Sequence, residues 1–220
     1  MMKFLKFFFT VWIAVVSLSS CECDHNLEPP APFKLGWVVC TDGQVMSFCD
    51  YVRSGKEAVA IVYWVNPDHE ADISGYAVYL NDLDPAAFSE TEMISQGTSS
   101  DIRALDGNEN TWSLHSNEEV NSPLAKNVFD LWTYGQSAYI PSVAQMKMIL
   151  DVKDFINPRI EAIGGDMLPD DADNCWYWTS TEVNGQQEGK AWLFSMKSGA
   201  IQETPKLQSH KGRPVITLYR

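Results

Sequence analysis

Carboxylates that could bind a hard cation are concentrated in one short stretch of the chain. Four aspartates follow Gly164-Gly165, namely Asp166, Asp170, Asp171 and Asp173. Ca²⁺ takes several oxygen ligands, so a cluster of this kind is one way to build a calcium site. Met167-Leu168-Pro169 interrupts the cluster, and its spacing is not that of an EF-hand loop. We therefore predict a solvated acidic loop, with no bound metal and no cofactor.

Nucleophiles and bases are not spaced for catalysis in this sequence. It contains no Gly-x-Ser-x-Gly elbow, no His-Glu-x-x-His pair and no Walker-type loop. Its four histidines are scattered, and none has a zinc-type spacing to a cysteine. We therefore expect a protein that is not an enzyme.

The first residues have the pattern of an export signal. Lys3 and Lys6 precede the apolar run of residues 7–16, and small residues follow that run. The run is shorter than the roughly 20 apolar residues that a membrane-spanning helix needs. Leu18-Ser19-Ser20-Cys21 resembles the lipobox of bacterial lipoproteins, in which the cysteine is acylated and becomes the first residue of the mature protein. We therefore predict a signal peptide over residues 1–20 and a lipid on Cys21.

The residues after Cys21 are predicted to form a tether. Residues 21–34 contain Pro29, Pro30 and Pro32, which favour an extended chain. The acyl chains would hold the protein on a membrane, and the acidic start Glu22-Cys23-Asp24 resembles the export signal of some surface-exposed lipoproteins. These features predict an outer-membrane lipoprotein exposed at the cell surface, with one folded domain over residues 35–220.

The net charge excludes one class of partner. Residues 1–20 contain two of the 16 basic residues and none of the 29 acidic ones, so the rest of the chain has 14 bases against 29 acids, a net charge of −15. A chain this acidic repels nucleic acid and anionic headgroups. We therefore predict no nucleic-acid partner and attachment to the membrane through the lipid.

The remaining cysteines leave the disulfide pattern open. If Cys21 is acylated, four cysteines remain, namely Cys23, Cys40, Cys49 and Cys175. An exported chain can form disulfides, and four cysteines allow three connectivities, among which the sequence does not choose. Cys40 and Cys49 are the nearest plausible pair within the folded region.

Strand patterns occupy both ends of the predicted domain. Residues 58–65 form a nearly continuous apolar run rich in β-branched side chains, which predicts a central strand buried on both faces. Residues 35–40 and 45–48 flank a Thr41-Asp42-Gly43 turn as a hairpin. The other predicted strands are residues 75–80, 176–181, 191–196, 200–203 and 214–219.

Two helices are predicted between these groups of strands. Ser122-Pro123 supplies an N-cap and a proline at the first helical position. Ser142 and Gln145 have the spacing of a capping box, and Asn157-Pro158 predicts a short restart that Gly164-Gly165 ends. The preceding residues 81–121 are polar and without clear periodicity apart from a short piece around Trp112, and a stretch this long can carry function. Strands, helices and then strands again predict an α+β fold.

Motifs in the second half of the chain resemble a known family. In chain order they are Tyr139-Ile140-Pro141-Ser142, Tyr177-Trp178-Thr179-Ser180-Thr181-Glu182, Ala191-Trp192 and Arg213-Pro214-Val215. They resemble the domain found at the C-terminus of some bacterial collagen-like adhesins and in many surface lipoproteins. That resemblance covers about residues 139–219. It implies a C-type-lectin-like fold, with mixed, mostly antiparallel sheets and two main helices.

The anchor, the tether and the resemblance together predict a binding module. We expect a lipid-anchored surface protein that recognises an extracellular glycan or protein. Two alternatives remain open: a structural or accessory subunit of a fimbrial or envelope complex, and a display protein diversified by a retroelement, which the Arg213-Pro214-Val215 ending resembles.

The loops between the late strands are the predicted binding surface, because in lectin-like folds such loops face the ligand. Residues 183–189 and 204–212 are polar and join apolar strands. We predict that binding needs no calcium and uses five side chains, namely Asn184, Gln186, Gln187, Lys206 and His210. If these side chains are not involved, the polar stretch from Asn81 to Asn121 is the next candidate.

Overall fold

The described chain forms antiparallel sheets with helices packed against them. The computed structural model describes residues 33–68, 70–133 and 136–220. The predicted signal peptide, Cys21 and nearly all of the predicted tether lie outside the described residues. Within those residues, no helix has both the length and the apolar character needed to cross a membrane.

The described part of the chain contains twelve strands. They are β1 (Val38–Cys40), β2 (Val45–Met46), β3 (Ala58–Val65), β4 (Ile73–Tyr79), β5 (Ala86–Ala87), β6 (Trp132–Thr133), β7 (Gln136–Ser137), β8 (Trp176–Glu182), β9 (Lys190–Ser195), β10 (Ile201–Pro205), β11 (Ser209–His210) and β12 (Val215–Tyr219). The pairings between these strands are all antiparallel, and one isolated parallel bridge joins Tyr177 of β8 to Lys211. The predicted α+β class with antiparallel sheets is therefore confirmed.

The largest sheet is built around β3. Its order is β12-β4-β3-β1-β2, so β3 is the middle strand, and Ile61 pairs with Val38 on one side and with Val78 on the other. Ala60 and Val62 are buried in one hydrophobic cluster, whereas Ile61 and its neighbour Tyr63 are buried in another. Because side chains alternate across a strand, both faces of β3 are covered. The predicted central strand at residues 58–65 is confirmed.

A second sheet carries the aromatic motifs. Its order is β10-β9-β8, with Trp178 paired to Leu193 and Trp192 paired to Glu203. Two short ribbons join β5 to β11 and β6 to β7. The ribbon of β5 and β11 lies against the second sheet, because the indole N–H of Trp178 donates to the carbonyl oxygen of Ala86 at 3.0 Å.

Five helices are present in the described residues, against two main helices expected. They are α1 (Phe48–Ser54), α2 (Gly107–Ser116), α3 (Pro123–Phe129), α4 (Val143–Asp151) and α5 (Lys153–Ile163). The predicted caps are confirmed: Ser122 accepts the Ala125 N–H, and Ser142 and Gln145 form a capping box.

The first two helices were not predicted, because neither has a clear apolar stripe. At α1 the Ser47 side chain accepts the Asp50 N–H, which ends β2 and starts a helix where a longer hairpin strand was expected. In α2 the buried side includes Asn110 and Thr111, which are polar. A helix that buries polar groups gives no hydrophobic periodicity to detect.

Helix α5 begins earlier than the sequence predicts. It runs through Pro158 instead of restarting at Asn157-Pro158. A proline inside a helix removes one backbone hydrogen bond. Ile156 and Ile160, one turn apart and both buried in the same cluster, hold the helix against the β3 sheet despite this cost.

The described cysteines are unpaired with one another. Cys40 and Cys175 are buried and Cys49 is exposed, and all three are free thiols. The pairing of Cys40 with Cys49 is therefore not formed. Cys40 ends β1 inside the core, whereas Cys49 lies on the outer surface of α1.

We expect Ile61→Asp to lower the free energy of unfolding by at least about 3 kcal/mol, because it places an unpaired carboxylate inside an apolar cluster. Urea denaturation followed by circular dichroism measures this change. The matched control is Val52→Asp on α1, where the side chain is 66% exposed, and its effect should stay within about 0.5 kcal/mol. Wild-type stability of Ile61→Asp would contradict the buried position of this residue.

Candidate functional site

A buried ion pair lies beneath the loops that were predicted to contact a ligand. Lys206 Nζ is in contact with the Glu182 carboxylate, and neither side chain is exposed. The ammonium also lies 5.4 Å from the centre of the Phe88 ring and donates to the carbonyl oxygen of Ile94 at 3.3 Å. Burial lowers the pKa of Lys206, and the Glu182 carboxylate acts in the opposite direction. Two charges in such a dry place are tolerated only as a hydrogen-bonded pair.

Glu182 also holds part of the long polar segment that precedes α2. Its carboxylate accepts the backbone N–H of Gln96 at 2.9 Å and the hydroxyl of Ser95 at 3.2 Å. Its own backbone N–H donates to the carbonyl oxygen of Ser99 at 3.3 Å. Residues 95–99 are therefore fastened to the end of β8.

A cleft of about 550 Å³ opens directly beyond this fastened segment. Residues 100–103 form one wall, and Asn184 and Trp192 form the other. Residue 100 follows Ser99 in the chain, and Asn184 follows Glu182 by two positions. Both walls are thus continuous with segments that Glu182 joins through its carboxylate and its backbone N–H.

The walls of the cleft combine an aromatic side chain with planar polar groups. Trp192 is partly exposed, and its indole N–H is buried without an acceptor among the described residues. The Arg103 side chain is 92% exposed, and its Nε lies 3.9 Å from the Asp101 carboxylate, so its guanidinium is accessible to a ligand. Asn184 adds an exposed amide. One apolar face with a few convergent polar groups is typical of concave sites for small ligands.

The glutamines of the predicted loop lie beside this cleft. Gln186 Nε2 donates to the Glu203 carboxylate at 3.0 Å, and Lys190 Nζ donates to the same oxygen at 3.1 Å. The hydrogen bond from Lys190, followed by that from Gln186, lowers the pKa of Glu203. Glu203 in turn pairs across the strands with Trp192. Gln187 is half-buried in the same loop, and neither glutamine is part of the cleft lining, which contains Asn184 alone of the five predicted binding residues.

Two of the predicted binding residues lie elsewhere. The predicted binding residue Lys206 is fully buried, and its ammonium contacts Glu182 rather than an open surface. His210 belongs to β11, and its half-buried ring packs edge-on against Trp178 at 5.3 Å. Burial lowers the pKa of the His210 imidazole. Neither residue lines the cleft, since the loop that carries them folds back over the second sheet.

The Arg213-Pro214-Val215 motif holds the last strand in place. Arg213 is fully buried, and its guanidinium donates to the Asp82 carboxylate and to two backbone carbonyl oxygens, each at 2.8 Å. Tyr177 and Lys211 donate to the other Asp82 oxygen, each at 2.9 Å. Burial, followed by the charge of Asp82, raises the pKa of Tyr177 far above its ordinary value. These contacts are structural and leave none of the motif free for a ligand.

The acidic stretch after Gly164-Gly165 is engaged in local contacts. Asp170 pairs with Lys153, and Asp171 accepts the backbone N–H groups of Asp173 and Asn174 at 3.1 Å and 2.7 Å. The hydrogen bond from Asn174 is the main reason that the pKa of Asp171 is lowered. In the part of the chain that the structure describes, no three metal-binding side chains converge on one point.

Sequence patterns single out one residue of the cleft, Asn184, and include residues 100–103 only within the longer polar stretch 81–121. The polar loop after β8 identifies Asn184 directly. Trp192 lies in a strand whose pattern of side chains is that of an ordinary core strand. Arg103 lies in residues 81–121, and the polarity of that stretch does not single out any one residue. The turn-forming run Ser99-Ser100-Asp101 is the one local signal that points to this wall.

Comparison with protein-family models finds no match for this chain, and no curated protein matches it either. A function must therefore be argued from the geometry and chemistry of the site itself.

Removing one member of the buried ion pair should destabilise the protein strongly. Lys206→Met leaves the Glu182 charge buried without its cation, and we expect it to lower the free energy of unfolding by about 3–5 kcal/mol. Adding Glu182→Gln removes that charge while keeping an acceptor for the Gln96 N–H. In urea denaturation the double variant should be more stable than Lys206→Met alone. Equal stability of the two variants would show that the charges are not coupled.

Proposed function

We propose that this chain is a lipid-anchored binding module at the bacterial cell surface, and that its cleft binds an extracellular carbohydrate. The observation that carries the proposal is the meeting of Trp192, Asn184 and Arg103 around one concave volume of about 550 Å³. These three side chains come from two separate segments of the chain. The fold brings together an aromatic ring that also packs against the core, an amide and a guanidinium.

The chemistry of a sugar matches these groups. A pyranose ring has a face of C–H bonds, which carry partial positive charge and are attracted to the negative face of an aromatic ring. Its edge carries hydroxyls, which exchange hydrogen bonds with amide, carboxylate and guanidinium groups. In the proposed complex, Trp192 contacts the C–H face, while Asn184, Arg103 and Asp101 bind hydroxyls.

The site is held in shape before a ligand arrives. Glu203 fixes Gln186 and Lys190 beside the cleft, and the Glu182–Lys206 pair fastens the segment before residue 100. Side chains that are already ordered lose less entropy when a ligand binds. This preorganisation favours the recognition of small, polar ligands that offer little apolar area.

A protein ligand fits the cleft less well than a sugar does. A standard protein interface buries about 800 Å² on each partner around an apolar centre. The site formed by Asn184, Trp192 and residues 100–103 is small and concave, with charged groups at its rim. The sequence suggests either a glycan or a protein as the ligand, and for this reason we favour the glycan.

The lectin-like fold is part of the proposal. It is supported by the antiparallel α+β architecture and by the first and last described strands, β1 and β12, lying in the same sheet. The motifs that resemble the family of surface lipoproteins supply Glu182 and Arg213, whose buried charges fasten the late strands. The predicted lipid on Cys21 and the tether would hold such a domain outside the outer membrane.

Substitutions in the cleft should weaken binding without unfolding the protein. We expect Asn184→Ala and Arg103→Ala each to reduce affinity for a glycan on a printed array by about tenfold, the loss of one good hydrogen bond. Melting temperature should not change, because both side chains are exposed. Arg53→Ala on α1 is the matched control and should bind normally, and so should the unmodified protein in EDTA. Normal glycan binding by both cleft variants, or loss of binding in EDTA, would overturn the proposed site.

The anchor is tested separately. Mass spectrometry of the N-terminus should show an acylated Cys21, and Cys21→Ala should leave the membrane fraction, because stable attachment needs acyl chains. Recovery of an unmodified Cys21 in the membrane fraction would contradict the anchor and leave the cleft proposal standing.

A further inference from the structure

A second aromatic surface lies on helices α2 and α3. Trp112 is 58% exposed, and the centre of its ring lies 5.8 Å from that of Phe129 and 6.4 Å from that of His115. The His115 ring stacks on Phe129 with centres 3.8 Å apart and an angle of 4° between the planes. Large aromatic side chains are usually buried, so an exposed tryptophan supported by two further rings is a mark of a binding surface.

A cleft that combines apolar and polar side chains adjoins this aromatic surface. It has a volume of about 290 Å³, and its polar lining includes Glu90, His115, Asn121, Lys126 and Asp130. Two of these residues are fixed to each other: the Glu90 N–H donates to the Asn121 carbonyl oxygen, and Asn121 Nδ2 donates to the Glu90 carboxylate, both at 3.1 Å. Carboxylates, an amide and an ammonium thus surround a concave space whose wall continues into the aromatic rings.

We propose that this second cleft is a saccharide-binding site distinct from the one formed by Asn184 and Trp192. The indole face of Trp112 takes the C–H face of a sugar ring. Glu90, Lys126 and Asp130 bind its hydroxyls, since carboxylates accept and an ammonium donates hydrogen bonds. The mixed signs of these charges fit a neutral ligand with many hydroxyls better than an anion or a cation alone.

The two clefts are joined by one rigid segment. The Asn110 side chain accepts the Ser99 N–H at 2.8 Å and donates to the Ser180 hydroxyl at 3.4 Å. Helix α2 therefore starts beside the wall of the first cleft and carries His115 in the lining of the second, with the Trp112 ring next to His115 and outside that lining. Two sites on one module would strengthen binding to a repetitive glycan surface, because the second contact forms at a high effective concentration.

The test reads each cleft through its own tryptophan. The indole ¹H–¹⁵N resonances of the full chain in detergent micelles are followed while glucose, galactose, mannose or N-acetylglucosamine is added at millimolar concentrations. Trp112→Phe and Trp192→Phe assign the two resonances. We expect the Trp112 resonance to shift saturably with at least one of these sugars. Glu90→Gln and Asp130→Asn should each weaken that response by about tenfold, whereas Val52→Ala, at an exposed position on α1, should not.

The outcomes separate the two proposals. If the Trp192 resonance shifts and the Trp112 resonance does not, the site beside Trp112 is overturned and the site formed by Asn184 and Trp192 stands. If only the Trp112 resonance shifts, the site formed by Asn184 and Trp192 is overturned and the site beside Trp112 stands. Silence of Trp112 toward all four sugars, with protection of its ring by an envelope protein instead, would make this surface an assembly interface and overturn the saccharide site. Glu90→Gln and Asp130→Asn should keep the wild-type melting temperature, because both side chains are exposed, so a loss of response in these variants cannot be attributed to unfolding.

Discussion

The contact on which the candidate site depends is the ion pair between Glu182 and Lys206. A carboxylate and an ammonium that are both withdrawn from water are costly to bury, and they are stable only when every remaining hydrogen-bonding position is filled. Here the filling groups come from the polar segment before α2: Gln96 and Ser95 donate to the carboxylate, and Ile94 accepts from the ammonium. The pair therefore fastens residues 94–96, which contribute no side chain to either hydrophobic core cluster.

That constraint explains how a polar segment becomes a wall of a cleft. Residues 81–121 place Phe88 and Leu114 in the hydrophobic core, but the stretch between them, residues 89–113, contains no member of a core cluster. Instead, buried hydrogen bonds position them: Asn110 bonds to Ser99 and Ser180, and Glu182 bonds to Ser99 and Gln96. Such bonds are directional, so they set positions more tightly than apolar contacts do. Both proposed saccharide clefts take residues from this one segment.

The family-like motifs act through the same kind of contact. Glu182 ends the run that begins at Tyr177, and Arg213 begins the last motif. Glu182 pairs with Lys206, and Arg213 pairs with Asp82. Each ion pair joins two parts of the chain that are apart in sequence. Of the residues proposed to line the first cleft, Asn184 lies between two of these motifs, Trp192 belongs to one of them, and Arg103 precedes them all. A resemblance carried by scaffold residues informs the fold more than the ligand.

The sequence by itself determined the elements whose signal is local. The apolar run of β3, the caps at Ser122 and Ser142 and the late strands follow from periodicity and capping chemistry within a few residues. The polar loop after β8 and its Asn184 were identified in the same way. Only the tertiary structure decided that Lys206 is buried, that Trp192 borders a cleft and that Arg103 faces it. Each of these depends on contacts between residues far apart in the chain, and a polar side chain has the same local pattern whether its partner is water or a buried charge.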